Sequence, residues 1–258
     1  MLLLAGASPD AVTSAYESAP VLSVSSYLGH LQMVSLLLEF GANLESRNAE
    51  GVTALIFAAR AGHCDVVAML LQAGASLTAV DSDDSSALVH AASNGHLRIV
   101  EYLLSCDWPP NKSGELGLAE VAQQALVVAA FNNHAEVSLF SISFLQVSVR
   151  IPYQSILFQV LEYLLDLGEV DVNQVDTRYG ETALTAAAQS GHSALCSLLH
   201  ARGARLDVGN MIDSLPLLMA TANGHWQVGL TLPLRYSSTD LFICAAVLDK
   251  CCCFDTRW

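Results

Sequence analysis

"GVTALIFAARAGHCDVVAMLLQAGA", residues 51–75, holds two short apolar stretches on either side of a Gly-His pair. Leu55 lies in the first stretch, and His63 follows it by eight positions, preceded by Gly62. The same arrangement stands 33 residues earlier, at Leu22 and Gly29-His30, and 33 later, at Leu88 and Gly95-His96. Further on, Leu126 precedes Asn133-His134, Leu184 precedes Gly191-His192 and Leu217 precedes Gly224-His225, with the same offset of eight. A fixed period of this length marks one supersecondary unit used about six times.

Each repeat carries its own physical logic. Two small residues follow the leucine, Ser25-Ser26, Ala58-Ala59, Ala91-Ala92, Ala129-Ala130 and Ala187-Ala188, so a short first helix can lie close to a neighbour. The glycine before the histidine tolerates positive φ and ends that helix. Apolar residues four, seven and eight places after the histidine, as in Val34, Leu37 and Leu38 or Val67, Leu70 and Leu71, put one apolar face on a second helix. Gly41-Ala42, Gly74-Ala75 and Gly203-Ala204 end it, eleven places after the histidine. One such pair cannot bury its own stripe, so the pairs must stack into an all-α solenoid with a shared core.

This pattern resembles the ankyrin repeat, which implies a β-turn finger and two antiparallel helices per repeat, with finger tips and first helices lining a concave face. The family's T-P-L-H start is degenerate here, standing as Thr53-Ala54-Leu55-Ile56, Ser86-Ala87-Leu88-Val89, Gln124-Ala125-Leu126-Val127 and Thr182-Ala183-Leu184-Thr185. The lost histidine removes one hydrogen-bond network in so far as the family analogy holds. LLLEFGAN at 36–43, ALVHAA at 87–92, CDW at 106–108, QQAL at 123–126, GETALTAAA at 180–188 and GHWQ at 224–227 occur in this order. Together they resemble the ankyrin region of the TANC-like, rolling-pebbles-like scaffold family over about 1–137 and 160–228. That resemblance implies a cytoplasmic adaptor of postsynaptic or myoblast-fusion assemblies. No G-x-x-x-x-G-K-[ST] and no tetratricopeptide pattern accompanies it.

The fourth repeat is interrupted. Counting from His134, the apolar places fall on Ser138, Ser141 and Ile142, and the glycine place on Leu145. Removing 138–160 joins HAEV to LEYLLDLG, and Leu161, Leu164, Leu165 and Gly168 then fill all four places. We therefore read 138–160 as foreign to the repeat, for example translated retained intron, against the alternative of a functional binding loop. Proline 152 starts a segment, 153–167, able to supply a replacement second helix while 138–151 loops out. After GHWQV the pattern stops, with Gly229 at plus four and Pro233 at plus eight. The expected organisation is a solenoid over 1–228, broken at about 138–160, and a poorly ordered tail over 229–258.

Composition limits the function. The 258 residues carry 25 acidic and 11 basic side chains, a net charge of −14 that disfavours nucleic acid and anionic bilayers and favours a basic or mixed-charge protein partner. Mean hydropathy is +0.43, yet the longest apolar region, 137–165, is interrupted by Arg150, Pro152, Gln154, Gln159 and Glu162, so no integral membrane segment is expected. The opening MLLLAGASPD lacks a basic start and does not read as a signal peptide. Seven cysteines, with Cys64, Cys106 and Cys196 in helical, core-facing segments, read as reduced thiols of the cytosol. Cys251, Cys252 and Cys253 lack the spacing of a zinc site.

Catalysis and cofactors are not expected. Six of the eight histidines share one repeat position, which gives them a structural role and disperses them too widely for a metal. Asp81, Asp83 and Asp84 lack the glycine and distal glutamate of a calcium loop and read as a solvated turn. The ankyrin resemblance implies a partner-binding face at Ala49, Glu50, Val52, Phe57 and Arg60 in the second repeat. In the third it implies Ser82, Asp83, Ser85, His90 and Asn94, and in the fifth Arg178, Tyr179, Glu181 and Gln189. Phe57, Arg60, His90 and Tyr179 lead, since aromatic and arginine side chains dominate interface energetics. The expected function is a non-enzymatic, monomeric interaction module of a cytoplasmic scaffold, the alternative being an aberrant intron-retaining product with impaired binding.

Overall fold

The computed structural model describes residues 6–13, 18–108, 117–132, 154–167 and 170–232. The chain divides into two compact halves, 1–125 and 126–258. In the N-terminal half the helices are α1 (Val21–Tyr27), α2 (Leu31–Glu39), α3 (Ala54–Ala61), α4 (Cys64–Gln72), α5 (Ala87–Ser93) and α6 (Leu97–Leu104). The division falls within α7 (Leu118–Asn132), and the C-terminal half continues with α8 (Gln154–Asp166), α9 (Ala183–Gln189), α10 (Ser193–Ala201), α11 (Pro216–Ala222) and α12 (Trp226–Thr231). First helices pack on first helices, α1 on α3 on α5, while α2 packs on α4 and α4 on α6; α9 meets α11 and α10 meets α12 in the same way.

The first helices begin where a hydroxyl can serve an unpaired amide. Thr53, Ser86 and Thr182 accept from the N–H groups of Ile56, Val89 and Thr185. Thr185 stands in the fourth place of the degenerate start and completes a capping box, its Oγ1 accepting the Thr182 N–H at 2.8 Å. In the sixth repeat Pro216 at the first helical turn takes over from a cap.

The core lies between the helix layers. Ala58, Ala59, Ala91, Ala92, Ala129, Ala130, Ala187 and Ala188 are all fully buried, as is Ser26, whose hydroxyl donates to the Leu22 carbonyl at 2.7 Å. In the second helices the places four and seven after the histidine are sealed, and so is the place three after it, at Val66, Ile99, Leu195 and Val228. The buried stripe is therefore set at places three, four and seven, with place eight half-buried at Leu38, Leu71 and His200.

The Gly-His pair is a joint between repeats. Gly62 ends α3 at φ +86°, and a Cβ placed there would meet the His96 ring at 2.7 Å. Gly29 stands against His63 and Gly191 against His225 in the same way, each at 2.6 Å. The ring so seated reaches a carbonyl of the preceding first helix: His63 Nε2 lies 2.9 Å from Tyr27 O, and His96 Nε2 lies 3.1 Å from Arg60 O. At Gly29, Gly62 and Gly191 glycine serves twice, for positive φ and for the space the next ring fills. A second stitch joins the loops, where the N–H groups of Asn43, Ser76 and Arg205 donate at 2.8 Å to the side chains of Asp10, Glu45 and Asn173.

The interrupted repeat keeps its second helix. Within α8, Leu161 and Leu164 are buried, and Arg202 at the end of α10 bonds Asp166 Oδ1 at 2.6 Å. Helix α8 begins seven residues inside the stretch read as foreign, with Gln154 in helix and Val160 fully buried. Residues 138–153 lie outside the described residues, as do His134, Gly168, Cys251, Cys252, Cys253 and 233–258. At the far end, α12 runs to Thr231, three residues past the expected limit of the repeats at 228. Gly229 is accommodated because its open side faces Leu217 Cδ1, where a Cβ would meet that atom at 3.4 Å. Among the described residues no helix is long and apolar enough to cross a membrane.

Candidate functional site

The fingers of the second, third, fifth and sixth repeats are each folded over one buried Asx side chain. Asn48 Oδ1 accepts the N–H groups of Glu50 and Val52, Asp81 Oδ1 those of Asp83 and Ser85, and Asn210 Oδ1 those of Ile212 and Ser214. Asp176 does the same through Oδ2 for Arg178 and Tyr179. This is the local chemistry that makes Asn and Asp turn formers. It explains why Asp81 is not part of a solvated cluster as expected: the side chain is buried as the brace of its turn, while Asp83 and Asp84 stay exposed. Neighbouring fingers are tied by backbone bonds of 2.8 Å, Ser82 N–H to Glu50 O and Met211 N–H to Gly180 O.

The bracing carboxylate of the third finger has a second partner. His90 Nε2 lies 2.7 Å from Asp81 Oδ2, which fixes the imidazole at the edge of α5, and Asn94 Nδ2 donates to the His90 carbonyl at 2.8 Å. Between the second and third fingers and their first helices lies a cavity of about 510 Å³, whose lining includes Glu50, Arg60, Ser82, Asp83, His90 and Asn94. Seven residues expected on the binding face, these six and the buried Val52, thus line one place in the N-terminal half. The lining mixes carboxylates, a guanidinium, an imidazole, hydroxyls and an amide, groups able to hold polar side chains.

Other expected contact residues lie behind the surface. Phe57 is only 6% exposed, its ring edge-on to Tyr27 with centroids 5.8 Å apart at 75°, so it belongs to the joint between the first and second repeats. Val52, Ser85 and Glu181 share one register, three places before the leucine, and all are buried at the finger base. Glu181 Oε1 accepts from Asn210 Nδ2 at 2.9 Å and braces the fifth finger against the sixth.

In the C-terminal half Tyr179 is exposed, with the Arg178 guanidinium 4.8 Å from its ring centroid, and Gln189 is half-buried at the end of α9. Two residues missed by sequence reasoning stand on the next finger, Met211 at 70% and Ile212 at 78% exposure. A signal for them exists: they occupy the finger-tip register held by Ala49-Glu50 and Ser82-Asp83 in the earlier repeats.

The thiols divide by environment. Cys196 is buried in α10, and burial pushes it up to about 12. Cys64 opens α4 half-buried. Cys106 lies past the end of α6 rather than inside a helix, donating to the Tyr102 carbonyl at 3.2 Å, and is pushed up by partial burial and by the neighbouring Asp107 charge.

Comparison with known proteins bears on the whole surface. Profiles of ankyrin repeats match residues 1–81 (three copies), 61–104 (many copies) and 179–211 (a single repeat), together more than half of the chain. Among solved structures, a chain of the complex of a predatory endopeptidase from Bdellovibrio bacteriovorus with an immunity protein is similar in fold, with a TM-score of 0.57 at 22% identity. That match covers 83% of this chain and 97% of the other.

Proposed function

Because the chain belongs to the ankyrin-repeat family, we propose that it is a non-enzymatic protein-interaction module that holds its partner on the finger and first-helix face. The observation that carries this reading is the cavity beside His90, where Glu50, Arg60, Ser82, Asp83 and Asn94 converge on a scaffold braced from behind by Asp81. His90 and Asn94 are held by side-chain hydrogen bonds, and Glu50, Arg60, Ser82, Asp83 and Asn94 are exposed. The net charge of −14 favours a basic or mixed-charge protein partner over nucleic acid. Tyr179, Arg178 and Gln189 supply further contacts on the fifth repeat.

Catalysis is no part of this role. The rings of His63, His96 and His192 each lie within hydrogen-bond distance of a backbone carbonyl, which supports a structural rather than a catalytic use of the repeated histidine. The ordered motifs shared with the TANC-like, rolling-pebbles-like scaffolds support a cytoplasmic adaptor role within a larger assembly. A second reading, an intron-retaining product with impaired binding, is supported by the complete repair of the fourth repeat when 138–160 is removed.

The test is capture of partners from cytoplasmic extract by the full chain and by two variants. Arg60→Ala combined with His90→Ala removes cavity groups, and Arg98→Ala alters an exposed position on a second helix. Loss of the captured proteins in the first variant and retention in the second supports the proposal; equal capture by all three contradicts it.

A further inference from the structure

We infer that the finger and first-helix face of the fifth and sixth repeats holds a seat for one arginine side chain of the protein partner, built on Glu181; this rests on the interaction reading above. Leu184 and Leu217 stand to each other as Leu55 and Leu88 do. The positions that line the cavity of the second and third repeats, among them Glu50, Val52, Arg60, Ser82, Asp83 and His90, therefore fall on Tyr179, Glu181, Gln189, Met211, Ile212 and Met219. The chemistry changes with them. The Arg60 guanidinium gives way to the Gln189 amide, the apolar Val52 to a carboxylate, and the polar finger tip Ser82-Asp83 to Met211-Ile212.

The carboxylate is the informative group. Ala19, Val52 and Ser85 fill its register in the first three repeats and are buried, so the finger base needs no charge there. Glu181 is only 9% exposed, and one of its oxygens, Oε1, accepts from Asn210 Nδ2 at 2.9 Å. The other, Oε2, is enclosed and has no hydrogen-bond partner. Gln189 Oε1, on the last residue of α9, is likewise enclosed and without a partner. A buried acceptor left unserved costs stability, most of all on a carboxylate, and a donor brought by a partner offsets that cost. Both groups are acceptors, so the occupant must be a donor, and the charge on Glu181 makes it a cation. Arg178, whose guanidinium stacks on Tyr179, leaves Oε2 without a bond.

The apolar tip sets the rest of the occupant. Met211 and Ile212 are exposed, and the Met211 side chain lies against Gly180, where a Cβ would meet its Sδ at 2.9 Å. The Met211 N–H donates to the Gly180 carbonyl at 2.8 Å, which fixes the tip beside the residue that precedes Glu181. A long side chain with an apolar stem and a cationic head suits such a place, the stem along Met211 and Ile212 and the head on the oxygens. Guanidinium is favoured over ammonium because it is more weakly hydrated and presents separate N–H groups to separate acceptors.

The test titrates the full chain with n-butylguanidinium and follows backbone amide NMR shifts, with n-butylammonium and n-butanol as separate probes. Saturating shifts at Glu181, Gln189, Met211 and Ile212 are expected, with the guanidinium bound about fivefold or more tighter than either other probe. Glu181→Gln, which keeps an acceptor for Asn210, should weaken it about fivefold or more. Met211→Ser combined with Ile212→Ser, at exposed places, should weaken it about threefold without moving the urea midpoint. Equal binding of n-butanol, or guanidinium binding that survives both variants, overturns the inference, and n-butylammonium bound as tightly overturns the choice of arginine. Capture from extract separates this inference from the reading it rests on. If Glu181→Gln captures as the parent does while Arg60→Ala with His90→Ala does not, the arginine seat is overturned and the interaction module stands. Equal capture by all variants overturns both.

Discussion

His192 Nε2 lies 3.1 Å from the carbonyl oxygen of Phe131, a bond that spans 61 residues, where the same bond spans 36 residues at His63–Tyr27 and His96–Arg60. The added chain is absorbed between the partners without loss of the joint. Loop closure explains why this is tolerated: doubling a flexible loop costs only about 0.6 kcal/mol.

Removal of 138–160 should therefore leave the fold of the C-terminal half intact. The deletion joins Val137 to Leu161, keeping Leu161 and Leu164 in the places where they are buried. A urea midpoint equal to or above that of the parent chain is expected, with stability higher by up to ~1 kcal/mol from the shorter closure. A clear fall in midpoint would show that the interrupting residues support the repeat.

The Gly-His joint predicts a coupled pair of substitutions. His96→Ala removes a carbonyl bond and opens a void, and roughly 1–3 kcal/mol of stability should go with it. Gly62→Ala forces a side chain into positive φ and against the His96 ring, at 2.7 Å, and should cost more than about 1 kcal/mol. In the double variant the clash is relieved, so the combined loss falls short of the sum of the single losses. Denaturant titration of all four proteins measures the coupling.

Phe57 and Tyr179 should behave oppositely. Phe57→Ala empties a buried site packed on Tyr27 and is expected to cost roughly 3–5 kcal/mol. Tyr179→Ala, at an exposed finger, should change stability by no more than about 0.5 kcal/mol while weakening partner capture. Thermal unfolding and capture measured on the same two variants separate a core role from a contact role.

Alkaline conditions should weaken the fold through Cys196. Its thiol is pushed from 9.0 up to about 12 by burial, so the native state holds the proton more tightly than the unfolded chain does. The contribution is complete below about pH 9 and is lost as pH rises from there towards 12. Between about pH 7.5 and 10.5 the parent chain should lose roughly 2 kcal/mol more than Cys196→Ala. Urea unfolding at the two pH values gives the difference, and parallel losses would show that the thiol titrates normally.

The repeat was legible because its markers act within one helix. Leucine, small pair, glycine and second-helix stripe each follow from local packing or from φ, and the structure places Val34, Leu37, Val67 and Leu70 where that spacing puts them. What the histidines do was not legible, since each bonds a carbonyl in the preceding repeat and only stacking brings the two together. The first helices misled for a related reason. Ala54 to Ala59 are all buried, enclosed by both neighbouring first helices, their own second helix and the finger, so no free face remains for periodicity to reveal. The ankyrin resemblance places both Phe57 and Arg60 on the binding face, yet Phe57 is enclosed while Arg60, at the end of the helix, emerges.

The central claim is that the chain is a stack of equivalent helix pairs locked by glycine and histidine. An experimental structure tests it most directly, by superposing the segments Leu55–Gly74, Leu88–Leu104 and Leu184–Gly203. The account predicts that they overlay as one hairpin, with the imidazoles of His63, His96 and His192 each on a carbonyl of the repeat before. Hairpins that do not overlay, or rings turned out to solvent, would contradict it.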